Sequence, residues 1–360
     1  MTHNATSYSD LNSYGRCAAQ YYFRKVVRIQ RKRKNKNLKQ GTMIHDGLKD
    51  FFLALREGME YQDAKLQMWS NFDATMETLW EDNPELFEDE LKELEQLYDD
   101  SLRIVLSYID VNAAEIENWE ILHVEEEFVA TLASGEIITF TPDLIIRDKH
   151  GFVWIIDHKS TSKMPTVGVP FSDLQTLLYY AGIKSLYPEL RGFRFNYLRK
   201  KVPTEPRMNK THTKESKAYG FHFVNNVKAI DTTYEILRDF ILENEPTLMG
   251  EPTHQQRLAE LRDHDRFFFS EELLVSDDQV DAVLEDVDDT LRMMAFSREN
   301  ALYPRTILGD LAGVQSCTNC EFNRICHTQL LGWNTDMVIE EEYEPRDPKN
   351  EYESEEDDDE

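Results

Sequence analysis

Apolar residues recur at helical spacing over the first part of the chain and at period two through its middle. Leu11, Tyr14, Ala18, Tyr21 and Tyr22 share one face behind the capping candidates Ser9 and Asp10, which predicts a helix over residues 7–27. A second helix opens at Gly41-Thr42-Met43-Ile44-His45 and runs on through Leu48, Phe51, Phe52 and Leu55. From Tyr61 to about Ala114 the helical period persists in Leu91, Leu94, Leu97, Leu102, Val105 and Ile109, with acids on the opposite face. We expect a helical insertion or cap there, over 61–114. Period two then takes over and predicts successive strands at 122–132, 137–146 and 152–157, turned at Ser134-Gly135 and Lys149-His150-Gly151. A helix over 171–186 follows, then strands over 193–198 and 219–224 around a basic, turn-rich loop at 200–217 that reads as mobile. Helices return at 232–242 and 277–297. Helix, three strands, helix, strand describes a compact α/β unit with a mixed sheet.

The chain of 360 residues is 41% hydrophobic, enough for a large core, and we expect one domain over 1–335. No apolar run reaches the roughly 18 to 20 residues that span a bilayer, and the first residues lack a basic-then-apolar leader pattern. A cytoplasmic, reducing setting follows, in which clustered cysteines read as metal ligands before disulfides. Net charge is −28, yet its distribution is uneven. Glu340–Glu360 holds thirteen acids against two bases, so residues 336–360 read as a disordered acidic tail. Arg24 to Lys39 instead holds nine bases and no acid. Arg24, Lys25, Arg28, Arg31, Lys32, Arg33 and Lys34 are therefore candidate DNA-phosphate contacts; the plainer alternative is a solvated loop.

Two constellations carry chemistry. In Asp157-His158-Lys159, alternate side chains of a strand share a face, so Asp157 and Lys159 point together and His158 points away. Asp143 on the preceding strand reaches the same patch if the two strands are antiparallel neighbours. Two carboxylates suit Mg²⁺ or Mn²⁺, and Lys159 could position a water and offset charge on a phosphate. By itself an Asp-x-Lys is more often a surface ion pair. The second constellation is Cys317-x2-Cys320-x5-Cys326, which lacks a fourth ligand that Cys17 could supply. Four thiolates could hold zinc, and His327 could stand in for Cys17.

Taken in order, Gly41-Thr42-Met43-Ile44-His45, Thr141-Pro142-Asp143, Asp157-His158-Lys159 and Gln175-x3-Tyr179 resemble the motifs of the RecB-like branch of the PD-(D/E)XK nuclease superfamily. The resemblance covers most of residues 7–200. It implies a restriction-endonuclease-like core, a mixed central sheet flanked by helices. It also implies metal ligation by His45, Asp143, Asp157 and the His158 carbonyl, with Lys159, Gln175 and Tyr179 acting beside them. Cys17 with Cys317, Cys320 and Cys326 resembles the iron–sulfur subgroup, which includes the nuclease part of AddB, CRISPR-associated adaptation nucleases and phage relatives. There a [4Fe–4S] cluster staples the N- and C-terminal segments. Ala18 departs from that pattern, where proline often follows the first cysteine. The implied activity is a DNA exonuclease of recombination, repair or phage DNA metabolism, acting at ends or on single strands. Without a helicase P-loop it would unwind DNA only through a recombination, helicase or CRISPR-adaptation partner. Two rivals remain: a catalytically inactive DNA-end-binding scaffold of the same fold, and an acidic interaction protein that mimics DNA.

Overall fold

The computed structural model describes residues 6–32, 36–82, 87–132, 134–164, 174–263, 266–306, 317 and 320–346. The chain enters through β1 (Thr6–Ser7) and α1 (Tyr8–Arg16). The Ser7 hydroxyl accepts the Asp10 N–H at 3.1 Å while the Asp10 carboxylate accepts the Ser7 N–H at 3.1 Å, a reciprocal cap that starts the helix. Extended backbone at Cys17 breaks it before α2 (Ala18–Tyr21), a π-helical turn (Tyr22–Val27) and β2 (Ile29–Arg31). Three long helices follow: α3 (Lys36–Arg56), α4 (Tyr61–Asp82) and α5 (Glu88–Ile116). Next come β3 (Glu120–Val124), β4 (Phe128–Thr131), β5 (Ile137–Phe140), β6 (Leu144–Arg147), β7 (Val153–Thr161), α6 (Leu174–Lys184) and β8 (Leu190–Arg199). The remainder is α7 (Ser216–Tyr219), α8 (Tyr234–Asn244), α9 (Pro252–Asp263), β9 (Phe268–Leu274), α10 (Asp277–Asn300), α11 (Asn323–Leu330), α12 (Asp336–Glu342) and β10 (Tyr343–Pro345).

The central sheet has the order β3-β6-β7-β8-β9; β7 and β8 are parallel and the other neighbours antiparallel. The apolar run Val153-Trp154-Ile155-Ile156 is buried because β7 lies mid-sheet with helices on both faces. Its alternation sorts the two cores. Ile155 packs with Leu177, Leu178, Ile183 and Leu291 of α6 and α10, whereas Trp154 and Ile156 pack with Phe51, Phe52, Val105 and Tyr108 of α3 and α5. Continued along β7, that alternation sends Asp157 and Lys159 toward α6 and His158 toward α5. Helix α6 can lie close to β5 because residue 182 is glycine: a Cβ there would stand 2.3 Å from Phe140 Cζ.

Several elements differ from the sequence expectations. The strand expected over 122–132 is two, β3 and β4, parted at Glu125, whose φ is +43°. The strand expected over 137–146 is likewise two, β5 and β6, parted at Thr141-Pro142-Asp143, and its halves join different sheets. Residues 219–224 form no strand; α7 ends at Tyr219 and only Val224 bridges to Met208. That bridge, with Thr204 N–H on Asp231 C=O at 2.8 Å, ties down the segment 200–217. Helix α9 and the edge strand β9 were not anticipated, since β9 carries Ser270, Glu271 and Glu272 in a largely exposed alternation.

The largest correction concerns the tail. Residues 336–346 are structured: α12 leads into β10, which pairs antiparallel with β2 in the register Tyr343↔Arg31 and Pro345↔Ile29. The reason is one aromatic among the acids. Tyr343 is buried, stacks on Phe322 with ring centroids 6.0 Å apart, and donates its hydroxyl to Glu321 C=O at 2.5 Å. Residues 347–360 lie outside the described residues. We predict that Tyr343→Ala lowers the unfolding free energy by about 3 kcal/mol, as for other buried aromatics, whereas truncation after Arg346 leaves it unchanged. Urea unfolding of the two variants checks this.

Candidate active site

The register of β6 on β7 builds the site. Leu144 lies opposite Ile156, so Asp143 and Asp157 occupy the next positions at the same end of the sheet. The antiparallel neighbours that the sequence reading required are present. Asp143 Oδ2 accepts the His158 N–H at 2.8 Å and stands 3.7 Å from His45 Nδ1 and 3.8 Å from His158 Nδ1. Asp157 is buried, and its Oδ2 meets Lys159 Nζ at 3.0 Å. Lys159 reaches Gln175 Oε1 at 3.4 Å, and Gln175 in turn donates to the Tyr179 hydroxyl at 3.5 Å. The structure therefore brings the seven residues together as two neighbouring sets, His45–Asp143–His158 and Asp157–Lys159–Gln175–Tyr179, that meet where Asp157 precedes His158 on β7.

Supporting elements explain why each arrives there. A Cβ at Gly41 would stand 3.2 Å from Ser160 Oγ, so glycine lets α3 approach the end of β7 and deliver His45 one turn later. Tyr179 stacks on Phe140 with centroids 4.7 Å apart and meets Tyr8 edge-on at 5.9 Å, which fixes α6 over the sheet. On the opposite face, the buried His158 ring lies between Phe52 and Tyr108, with Nε2 3.3 Å from the Tyr108 hydroxyl. Asn196 donates to that hydroxyl at 2.9 Å and accepts from Ser270 at 2.6 Å. Burial pushes the Tyr108 phenol well above its ordinary range, so it remains a neutral donor.

The set of two carboxylates and an imidazole suits a hard divalent cation. In this conformation, however, no three His, Cys, Asp or Glu side chains among the described residues stand close enough together to hold a metal ion. Lys159 and the His158 N–H engage the carboxylates instead. A small pocket beside Asp143 is lined by His45, Lys49, Glu125 and His158. The sequence reading missed Glu125 and Lys49. Glu125 lies in Glu125-Glu126-Glu127, which looks like a solvated acidic turn, and Lys49 is one of many helix-surface lysines.

The basic strip is only partly a surface. Arg24 is buried, with its guanidinium 2.5 Å from Glu321, and Lys25 stands 3.4 Å from Asp10. Arg24 is thus turned into the junction between the chain ends and Lys25 onto α1, so neither side chain lies open to solvent as a DNA contact would. Arg28, Arg31 and Lys32 are exposed, with Arg31 donating to Glu321 C=O at 3.0 Å and Lys32 to Glu340 C=O at 2.7 Å. Arg33 and Lys34 lie outside the described residues.

The four thiols lie near one another, but no three of them stand close enough together to hold a metal ion. Cys17 Sγ accepts the Thr306 N–H at 3.4 Å, and Cys317 Sγ donates to Thr306 C=O at 3.9 Å. The Phe322 N–H faces Cys320 and the Arg305 side chain faces Cys326, while Cys17 lies within electrostatic reach of both. Burial pushes the Cys320 thiol up to about 12 and also raises Cys326. Around them Phe23, Ile29, Phe322, Ile325 and Tyr343 join the two ends of the chain.

The family model described as the PD-(D/E)XK nuclease superfamily matches residues 5–327. The chain belongs to this superfamily. Its mixed α/β fold and nuclease class follow from that membership. The crystal structure of a "Putative exonuclease" from Eubacterium rectale is similar at 12% identity, covering 85% of this chain and 86% of that one with a TM-score of 0.41. No curated protein sequence matches this superfamily member. Among its described residues, no helix is long and apolar enough to cross a membrane.

Tyr108→Phe removes the hydroxyl that joins His158 to Asn196 while keeping the ring. We predict a loss of about 1–3 kcal/mol, because the buried Asn196 amide loses its acceptor, together with a lower melting temperature. Calorimetry checks it; an unchanged melting temperature would remove this contact from the site's support.

Proposed function

We propose that the protein is a Mg²⁺- or Mn²⁺-dependent DNA exonuclease acting at ends or on single strands. The observation that carries the reading is the convergence of Asp143, Asp157, Lys159 and His45 at one sheet end, in a chain of the nuclease superfamily. Asp143, Asp157, His45 and the His158 carbonyl would hold the cation. Bound there, the cation would supply Lewis acidity toward the phosphodiester. Lys159 leaves Asp157 to hold the attacking water and to offset charge growing on the phosphate. Gln175 keeps Lys159 aimed along that path, and Tyr179 fixes Gln175 against Phe140 and Tyr8. The exposed Arg28, Arg31 and Lys32 give the substrate backbone an electrostatic approach within an acidic protein.

Cys17, Cys317, Cys320 and Cys326 would hold a [4Fe–4S] cluster, with zinc as the competing occupant. Support comes from the donors set around the sulfurs, Thr306 N–H, Phe322 N–H and Arg305, a pattern that stabilises thiolates. Bound there, a cluster or zinc would take the four sulfurs as thiolates. The pathway we favour is recombination, repair or phage DNA metabolism, alone or beside a helicase or CRISPR-adaptation partner.

Cleavage of 5′- and 3′-labelled linear single strands is compared with covalently closed circular single-stranded DNA in Mn²⁺. An exonuclease degrades the linear forms and spares the circle; cutting of the circle would make the protein an endonuclease. Metal analysis of anaerobically purified protein decides the thiol site. About four irons per chain support the cluster, and one zinc replaces it.

A further inference from the structure

Glu125 stands where a side chain rarely does. Its φ of +43° places a non-glycine residue in the left-handed region, at the break between β3 and β4. From there its N–H donates to the Asp143 carbonyl at 3.0 Å, so the turn latches the loop that carries a catalytic carboxylate. Its side chain borders the same pocket as His45 and Asp143 and forms an ion pair with Lys49. Lys49 follows His45 by four residues on α3, one turn along the same face, and remains 39% exposed. Backbone strain of this kind persists where the surroundings over-determine it, and such residues gather at functional sites.

We propose that Lys49 binds a backbone phosphate of the DNA strand entering the active site, and that Glu125 is the positioning residue that fixes where this contact is made. The inference rests on the nuclease reading and deepens it. Two acid–lysine pairs then flank Asp143: Asp157 with Lys159 on the α6 side, and Glu125 with Lys49 on the α3 side. Lys159 serves the reacting phosphate, and Lys49 binds its neighbour while Glu125 sets the position of that contact. The Lys49 ammonium is maintained there: burial acts to lower its pKa, but the hydrogen bond and charge of Glu125, with Asp46 and Asp50, raise it overall. As the side chain is 39% exposed, a phosphate can approach it beside the Glu125 contact.

The test uses the full chain and a short single-stranded oligonucleotide. Lys49→Met is expected to raise KM about tenfold with kcat nearly unchanged, and to flatten the slope of log affinity against log salt by about 0.7, the single-strand value for one lost phosphate contact. Lys49→Arg restores both. Glu125→Gln leaves affinity near wild type and lowers kcat about tenfold, because the strand is held out of register. Glu125→Gly adopts the left-handed backbone freely, so it keeps the Asp143 latch and the melting temperature while showing the same kcat loss. Unchanged KM and salt slope in Lys49→Met would overturn the inference. So would a Glu125→Gln protein that melts earlier but cuts at the wild-type rate per folded molecule. Binding of the oligonucleotide in EDTA separates this inference from the reading beneath it. Wild-type protein that binds through Lys49 but never cuts would refute the nuclease and retain the phosphate contact.

Discussion

Leu144 faces Ile156 across β6 and β7, and the placement of the two candidate carboxylates follows from that register. One residue beyond each, Asp143 just before β6 and Asp157 within β7 come side by side, where β6 ends and β7 runs on beside β8. A slip by one position would send Asp157 and Lys159 to the α5 face and bring His158 to the α6 face. The register is secured because β7 is buried on both sides: Ile155 belongs to one core, and Trp154 and Ile156 to the other. The two apolar cores thus act as the positioning device for a polar site. Helices α3 and α6 then bring His45 and the Gln175–Tyr179 pair to the same sheet end, each seated through a glycine contact, Gly41 on Ser160 and Gly182 on Phe140.

What the sequence made legible was what depends on short-range periodicity. The apolar alternation of β7, the facing of Asp157 with Lys159, and the spacing of Gln175 and Tyr179 all follow from local geometry, and the structure brings these residues together. Breaks within apolar runs were not legible. At Glu125 and at Thr141-Pro142-Asp143 the alternation continues while the chain changes sheets, and no residue type at Glu125 signals a left-handed turn. Nothing in the sequence around Tyr108 marks the hydroxyl that links His158 to Asn196. The acidic composition of the C-terminal segment masked β10, because one buried aromatic, Tyr343, outweighs the charges of its neighbours.

Charge is used locally in this molecule. A chain carrying −28 overall turns Arg24 inward onto Glu321 to tie its ends together and Lys25 onto Asp10 of α1, and exposes Arg28, Arg31 and Lys32 beside them. The junction they help to form also carries the thiols, so the segment that would hold an inorganic cofactor is already joined by aromatic stacking of Phe23, Phe322 and Tyr343. A cofactor there would reinforce an existing contact between the chain ends. The candidate active site lies on separate elements, and its geometry is set by the sheet.

The most direct test of the account is the rate of Mn²⁺-dependent cleavage of single-stranded DNA by wild-type protein, with EDTA as control, beside an Asp157→Ala, Lys159→Ala double variant whose melting temperature is measured in parallel. The account predicts metal-dependent cleavage in the wild type, and a loss of about a thousandfold or more in a folded variant, the order expected when groups stabilising transition-state charge are removed. A folded double variant that cuts as fast as wild type would contradict it, and would place the chemistry away from this end of the sheet.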